Sequence, residues 1–582
     1  MSSHVDARPP SPDDEVTHGH GDTLWKRPTA AMLKSRSFWI GNYDYAALLS
    51  VKNKHIPFFA PNQPVPVLLA LILGLQHALA MMGGLVVPPI LLGGAAGAGL
   101  SSGDQIYLVS ACLIWCGLGT LLQVSRIPIG RGYFIGSGVL NVIGTSFAFV
   151  NTGLTFLNNE FTRGNCKLAD DGSKLPCPEA FGAMLGTASV VALVAVLFSF
   201  TPPRFLRRIF TPLVTGSILL TIGLSLMGSG ITNWAGGSGC ESGGLCPSDN
   251  APMAAPWGSP RLIGLGFLVW ISIIIFDLLG PPLVKNASVM LGLIVGFIVS
   301  AACGYFEQST IDNAPAATFL WVTRFPLSIR GELVLPYLAA FAVVLSEGVG
   351  NITATCEISR LPIEGPRYSS HVQGGLLSDA LWACLAGLAT VPPSTTFSQN
   401  VSVIALSNNA SRVAGYVCGV ILLLAGVFSK IGALFVVAPA SVIGGMTTFL
   451  FSSVCVAGLK ILSGVHWSRR NRFIATASLS LGFAAICSPS WFSNFFTYSG
   501  PNTALRGFLD ALTLIVEESY LITLIIAVPL QAIIPLGEDD VVPAREGEPV
   551  EVLGRTKTAR YQHSIEQVDG DEEMALGPVD SK

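Results

Sequence analysis

The sequence predicts an all-α polytopic membrane protein, with fourteen transmembrane segments in two inverted seven-segment repeats and short strands in segments three and ten. Three observations lead there. Of 582 residues, 51% are hydrophobic and 12% charged, against about 25% charged in soluble domains, so a soluble fold has too little polar surface to cover the chain. Apolar runs such as 183–200, 262–279 and 287–302 recur along its length, each close to the roughly 20 residues that cross a bilayer. Two weaker segments, Gly136 to Phe147 and Thr396 to Ser407, depart from the pattern in the same way: both are short, β-branched and dotted with small polar residues.

The segments begin near Val65, Asp104, Gly132, Glu179, Thr211, Leu262, Ala287, Leu333, Val372, Thr396, Val413, Gly432, Phe473 and Glu517. Seven per half is an odd number, so the second half enters the membrane upside down relative to the first. The third and tenth segments then become equivalent, and their composition suits a short strand followed by a half-helix. Irregular backbone at membrane depth is tolerated only where it is buried in protein or lines a cavity, which places both at a central site.

The first sixty or so residues read as a polar cytosolic tail rather than a cleavable signal. With the N-terminus inside, the cytosolic connections hold Arg126, Arg131, Arg204, Arg207, Arg208, Lys285, Arg360, Arg367, Arg412, Lys460, Arg469, Arg470 and Arg472, in accord with the positive-inside rule. That orientation puts Cys166, Cys177, Cys240 and Cys246 in two outer polar loops, where one or two disulfides can form, although the pairing is open. A zinc site is disfavoured because no CxxC pair or nearby histidine supports one. The other cysteines read as small buried hydrophobes. The sequon at Asn286 falls on the cytosolic side, where it is not glycosylated. The tail after Pro535, with acidic clusters at 538–540 and 571–573, reads as a disordered cytosolic segment in which Lys557 and Lys582 are possible ubiquitin acceptors.

Several function classes are excluded. A net charge of -3 with no concentrated basic surface argues against a nucleic-acid partner. No nucleophile–base pair, metal-ligand spacing or phosphate loop suggests an enzyme, and none calls for a cofactor. A channel needs a continuous polar lining, whereas the polar residues here cluster at one depth, which suits an occluded binding site.

Strongly polar side chains inside apolar segments cost several kcal/mol unless paired, so each is a functional candidate. They are Glu347 in the eighth segment, Asp379 in the ninth, Gln399 and Asn400 opening the tenth, and Gln76 with His77 in the first. Glu347 and Gln399 form the pair best suited to a ligand, because a carboxylate accepts from N–H while an amide donates and accepts along one edge. Asp379 is placed to bond the tenth segment and hold the site in shape, and either acid could take up a proton. His77 reads as a proton acceptor or as an ordering interior histidine, and Asn400 as ligand or scaffold. Phe147 offers a ring for stacking and Ser146 a backbone group for hydrogen bonding, or Phe147 packs only.

At these residues the chain resembles the nucleobase-ascorbate transporter family, in its fungal uric acid-xanthine permease branch. The resemblance covers roughly residues 40 to 535. It is carried by Gln76-His-Ala-Leu-Ala-Met81, Gly144-Thr-Ser-Phe147, Ser346-Glu-Gly-Val-Gly350, Asp379, Gln399-Asn400 and Val403-Ile-Ala-Leu406. It implies a proton-coupled purine symporter of the plasma membrane, surrounded by lipid, homodimeric, and working by elevator-type motion. A core domain (61–210 and 333–430) would move against a gate domain (211–332 and 431–536), between an N-terminal tail (1–60) and a C-terminal tail (537–582). By the same resemblance Glu347 and Gln399 are the principal substrate pair, and Ser146 and Phe147 are contacts from the opposing repeat. Asp379, Asn400, His77 and Gln76 serve transport or site integrity, and Asn42-Tyr-Asp-Tyr45 resembles an element for exit from the endoplasmic reticulum.

Four positions depart from the family pattern. Ser402 stands where the signature has Gly, adding bulk and a hydroxyl that leave the pocket narrower or differently bonded. Ser407 and Asn408 replace Thr and a basic or small residue, and Asn351 occupies a position commonly Asp. These departures leave room for a permease of another nucleobase or a transport-deficient nutrient sensor.

Overall fold

The computed structural model describes residues 35–535, apart from 42, 49, 51–56, 170–171, 242–243, 248–250, 252, 490, 493–494, 497, 499 and 501. Asn42, the acidic clusters of the tail, Lys557 and Lys582 therefore lie outside the described residues.

The protein is mostly helical. In the first half run α1 (Val67–Gly93), α2 (Ser102–Val124), α3 (Ala148–Thr162), α4 (Pro178–Phe198), α5 (Pro212–Trp234), α6 (Pro260–Leu279) and α7 (Ser288–Ala302). The second half holds α8 (Gly331–Ile358), α9 (Gly365–Ala386), α10 (Gln399–Ser407), α11 (Arg412–Val427), α12 (Ser429–Val437), α13 (Ala440–Ser463), α14 (Arg469–Cys487), α15 (Thr503–Glu517) and α16 (Ser519–Ile533). Local chemistry sets many of the starts. Proline occupies the first turn of α4, α5 and α6, where its missing N–H has no partner to lose. The Ser101 and Ser468 hydroxyls accept backbone N–H groups at the starts of α2 and α14.

Among the described residues, α1, α2, α4, α5, α6, α8 and α13 are each long and apolar enough to cross a membrane, and the bent pairs α11–α12 (73°) and α15–α16 (89°) bring these seven candidate spans to nine. Four of the predicted starts shift, among them the one near Val372, whose helix α9 begins at Gly365. Backbone near Gly432 belongs to α12 and the next helix begins at Ala440, because Pro439 holds an extended conformation that breaks the run. The predicted last segment, near Glu517, coincides with the break between α15 and α16. Near Gly132 the chain forms strands, and α3 starts only at Ala148.

Two of the three small sheets are local hairpins: β1 (Ile127–Gly130) pairs with β2 (Tyr133–Ile135), and β4 (Leu245–Cys246) with β5 (Ala255–Pro256). The third joins distant parts of the chain. β3 (Ile143–Thr145) pairs antiparallel with β6 (Ser394–Thr396), matching Ile143 to Thr396 and Thr145 to Ser394. Each strand is followed, three residues after its last, by the first residue of a short helix, α3 or α10.

Helix packing concentrates in two sets: in one, α11 packs on α1 and α2, and α4 on α8 and α9; in the other, α5 packs on α13 and α16, α6 on α7 and α13, and α14 on α16. The packing of α15 on α8 joins the two sets. Lipid tails give apolar faces no reason to associate, so tight backbone approach supplies the attraction. Gly117 and Gly419 permit it between α2 and α11: a Cβ on either would meet the other's carbonyl oxygen.

Two of the polar loops are closed by disulfides, between Cys166 and Cys177 and between Cys240 and Cys246. They settle the pairing that spacing had left open. Among the described residues no His, Cys, Asp and Glu cluster could hold a metal ion.

Candidate functional site

The β3–β6 ribbon lies at the centre of the site and is fully buried. A strand pair in an apolar interior needs every edge group satisfied, and Thr396 shows how this is done. Its N–H donates to Asp379 Oδ2 at 3.1 Å and its hydroxyl to Asp379 Oδ1 at 2.9 Å, while that hydroxyl accepts from Gln123 Nε2 at 2.9 Å. Its carbonyl accepts from Asn351 Nδ2 at 2.8 Å. Asp379 on α9, Gln123 on α2 and Asn351 on α8 thus hold β6 from three sides.

After each strand the chain turns into a half-helix whose N-terminal residue is helical in backbone and makes no side-chain cap: Phe147 before α3 and Ser398 before α10. The uncapped N–H groups of both helices give the site two partially positive ends. Phe147 and Phe397 lie nearly parallel, with 10° between planes and 6.3 Å between centroids, and Phe451 of α13 meets Phe147 edge-on at 5.7 Å. Phe397 rests on Gly144, where a Cβ would collide with its ring. Sequence reading missed Phe397, although it stands two residues before Gln399; the residue in the same place after β3 is Ser146, so residue type gave no likeness to follow.

Glu347 on α8 and Gln399 at the start of α10 are partly exposed, and among the described residues neither side chain has a hydrogen-bond partner. Their helices pack together. The preceding Ser346 is bonded to Thr215 of α5, Oγ to Oγ1 at 2.8 Å, which leaves the carboxylate of Glu347 as the uncommitted group there. Of the Ser146 backbone, the N–H is already committed, donating to Pro393 O at 3.0 Å, and among the described residues its buried hydroxyl has no partner.

Asn400 and His77 are both buried, and Asn400 donates to Leu140 O. His77 lies beside Asn400 with no well-formed hydrogen bond on either ring nitrogen. Gln76 donates to Pro282 O at 3.3 Å and so ties α1 to the turn before α7.

The departures have local explanations. Ser402 is exposed, so its hydroxyl does not narrow a buried pocket. The Ser407 hydroxyl donates to Val403 O, one turn back, at 2.7 Å. Asn408 ends α10 in the left-handed region at φ 51°, and its carbonyl accepts from Phe59 N–H at 3.0 Å. Asparagine enters that region more readily than other non-glycine residues. Asn408→Gly should therefore keep thermal stability, while Asn408→Val should lose about 1–2 kcal/mol, read as a lower melting temperature of the purified protein. Asn351→Asp offers a sharper contrast. Ionised, the carboxylate would face the Thr396 carbonyl without a proton to donate, so this variant, which restores the residue common in the family, should transport but with uptake that rises more steeply in acid than that of wild type; a pH profile parallel to wild type would sink this reading.

Comparison with known proteins covers most of the chain. A family model described as Permease family matches residues 69–490. A uric acid-xanthine permease of Emericella nidulans is 47% identical over 524 residues, covering 88% of this chain and 91% of its own. A purine permease of the same organism is 45% identical over 549 residues, covering 92% and 94%. Among solved structures, SLC26A9 aligns with a TM-score of 0.50 at 10% identity, over 71% of this chain and 62% of that one, a likeness of fold alone.

Proposed function

Because the chain belongs to the nucleobase-ascorbate transporter family, we propose that it is a secondary active transporter carrying purines such as uric acid and xanthine into the cell across the plasma membrane. The observation that carries this reading is the contrast at the site: Asp379, Asn351 and Asn400 are spent on backbone, while Glu347 and Gln399 have no hydrogen-bond partner among the described residues. A purine presents ring N–H donors and carbonyl acceptors on one flat edge. Glu347 would accept from N–H, the Gln399 amide would donate and accept beside it, and Phe147 with Phe397 would face the ring. The two uncapped half-helix ends would stabilise carbonyl oxygens or an anionic purine.

The antiparallel pairing of β3 with β6 and the equal spacing to α3 and α10 support two inverted seven-segment repeats, fourteen segments in all. The two packing groups support a core domain carrying the site and a gate domain against which it moves in an elevator-like way. Two disulfides support an oxidising outer side, with both termini in the cytosol. Proton coupling through a buried acid and a homodimer complete the proposal, which involves neither cofactor nor metal. Since Ser407 and Asn408 serve helix termination and Ser402 lies exposed, the departures give no ground for preferring a transport-deficient sensor.

The test is uptake of radiolabelled xanthine and uric acid at several pH values in cells without purine permeases of their own. Saturable uptake that rises in acid is the expected result. Surface-localised protein that moves neither purine at any pH would refute it, and a binding screen across nucleobases would then identify the substrate.

A further inference from the structure

Ala148, Asn151, Thr152 and Thr155 of α3 recur at i, i+3, i+4 and i+7, which places them on one face of the half-helix. That face meets α5, α16 and the break between α15 and α16. The Tyr520 hydroxyl donates to Ala148 O at 2.9 Å and lies 2.8 Å from Thr152 Oγ1. The Thr155 hydroxyl donates to the Glu518 carboxylate at 2.6 Å, and Asn151 donates to Ser225 of α5 at 2.5 Å. At the far end Arg163, which follows α3, pairs with Asp510 of α15 at 3.0 Å and with Glu332 of α8 at 2.7 Å.

The 89° break at Glu518 lets one short stretch of chain reach the first two turns of α3. Tyr520, Thr152 and Glu518 are buried, where a hydroxyl or carboxylate is costly unless bonded. A phenylalanine at 520 would fill the same space without that cost, so the hydroxyl is spent on α3. Phe147 immediately precedes the gripped residue Ala148.

We propose that Tyr520 is a positioning residue: by bonding Ala148 and Thr152 it fixes the first turn of α3 and with it the ring of Phe147 in the geometry that receives the substrate. This rests on the reading of Phe147 as a substrate contact. Tyr520 touches no reacting group and acts through α3 alone.

The experiment is Tyr520→Phe in the full-length chain. KM for xanthine uptake should rise about fivefold, with maximal uptake per surface protein within about twofold of wild type. In a Phe147→Ala background the same substitution should add almost nothing, because the ring it positions is gone. If Tyr520→Phe fails to reach the surface, Thr152→Val, which removes only a partner of that hydroxyl, should show the same KM shift in smaller size. Hydrogen exchange of residues 148–155 in purified protein should be about threefold faster in Tyr520→Phe, and this readout needs no substrate. An unchanged KM with unchanged exchange overturns the proposal, as does a KM effect that multiplies in full on Phe147→Ala, the signature of a merely structural role. If the wild type takes up no purine, the proposed function fails, and exchange at 148–155 alone decides whether Tyr520 holds the site helix.

Discussion

Glu347→Gln should lower xanthine uptake at subsaturating concentration by about two orders of magnitude without changing the amount of protein at the cell surface. The substitution keeps shape and volume and removes only the charge and one acceptor. A hydrogen bond to a charged group contributes about 1.5–3 kcal/mol, or about 10- to 150-fold in affinity. The upper end applies because the new amide N–H would face a ring N–H, setting donor against donor. Among the described residues no hydrogen bond of Glu347 to protein is lost in the exchange, so folding should not suffer. Measured uptake, normalised to surface-labelled protein, with wild-type KM would remove Glu347 from the substrate contact.

Asp379→Asn should produce a different failure. Asp379 accepts from Thr396 N–H, from the Thr396 hydroxyl and, at 3.5 Å, from the Thr395 hydroxyl. An Asn keeps one acceptor oxygen and turns an amide toward donors, so at least one buried bond is lost at a cost of about 1–3 kcal/mol. The strand it supports leads directly into Gln399, so uptake should fall more than tenfold and thermal stability should fall with it. Together these separate Asp379 from Glu347, whose variant should lose uptake alone. Full, pH-dependent uptake by Asp379→Asn would show that β6 needs no carboxylate and would take Asp379 out of any proton pathway.

Both substitutions act on residues that stand out in the sequence, because an ionisable side chain in an apolar run is conspicuous without any structure. The same reading gave Glu347 to a ligand and Asp379 to the shape of the tenth segment, but it left open which acid takes up a proton and could name no atom that either one meets. Thr396, which donates to Asp379, lies 17 residues from it, whereas Glu347 meets no hydrogen-bond partner among the described residues. Asn408 shows the limit of the sequence from the other side. It was conspicuous as a departure from a family pattern, but its φ of 51° shows it ending a helix.

By itself the sequence determined that this is a helical membrane protein, that two segments break the helical pattern with strands, and which few polar residues lie at their depth. Those properties follow from composition and short-range periodicity, which depend on neighbours a few residues apart and on the length needed to cross a bilayer. Only the tertiary structure decided the pairing of β3 with β6, the two disulfide partners, the occupied N–H of Ser146, the ring of Phe397 and the grip of Tyr520 on α3. The physical reason is separation along the chain. Tyr520 and Ala148 are 372 residues apart, and a contact over that distance is chosen by how whole helices pack, which no local pattern records.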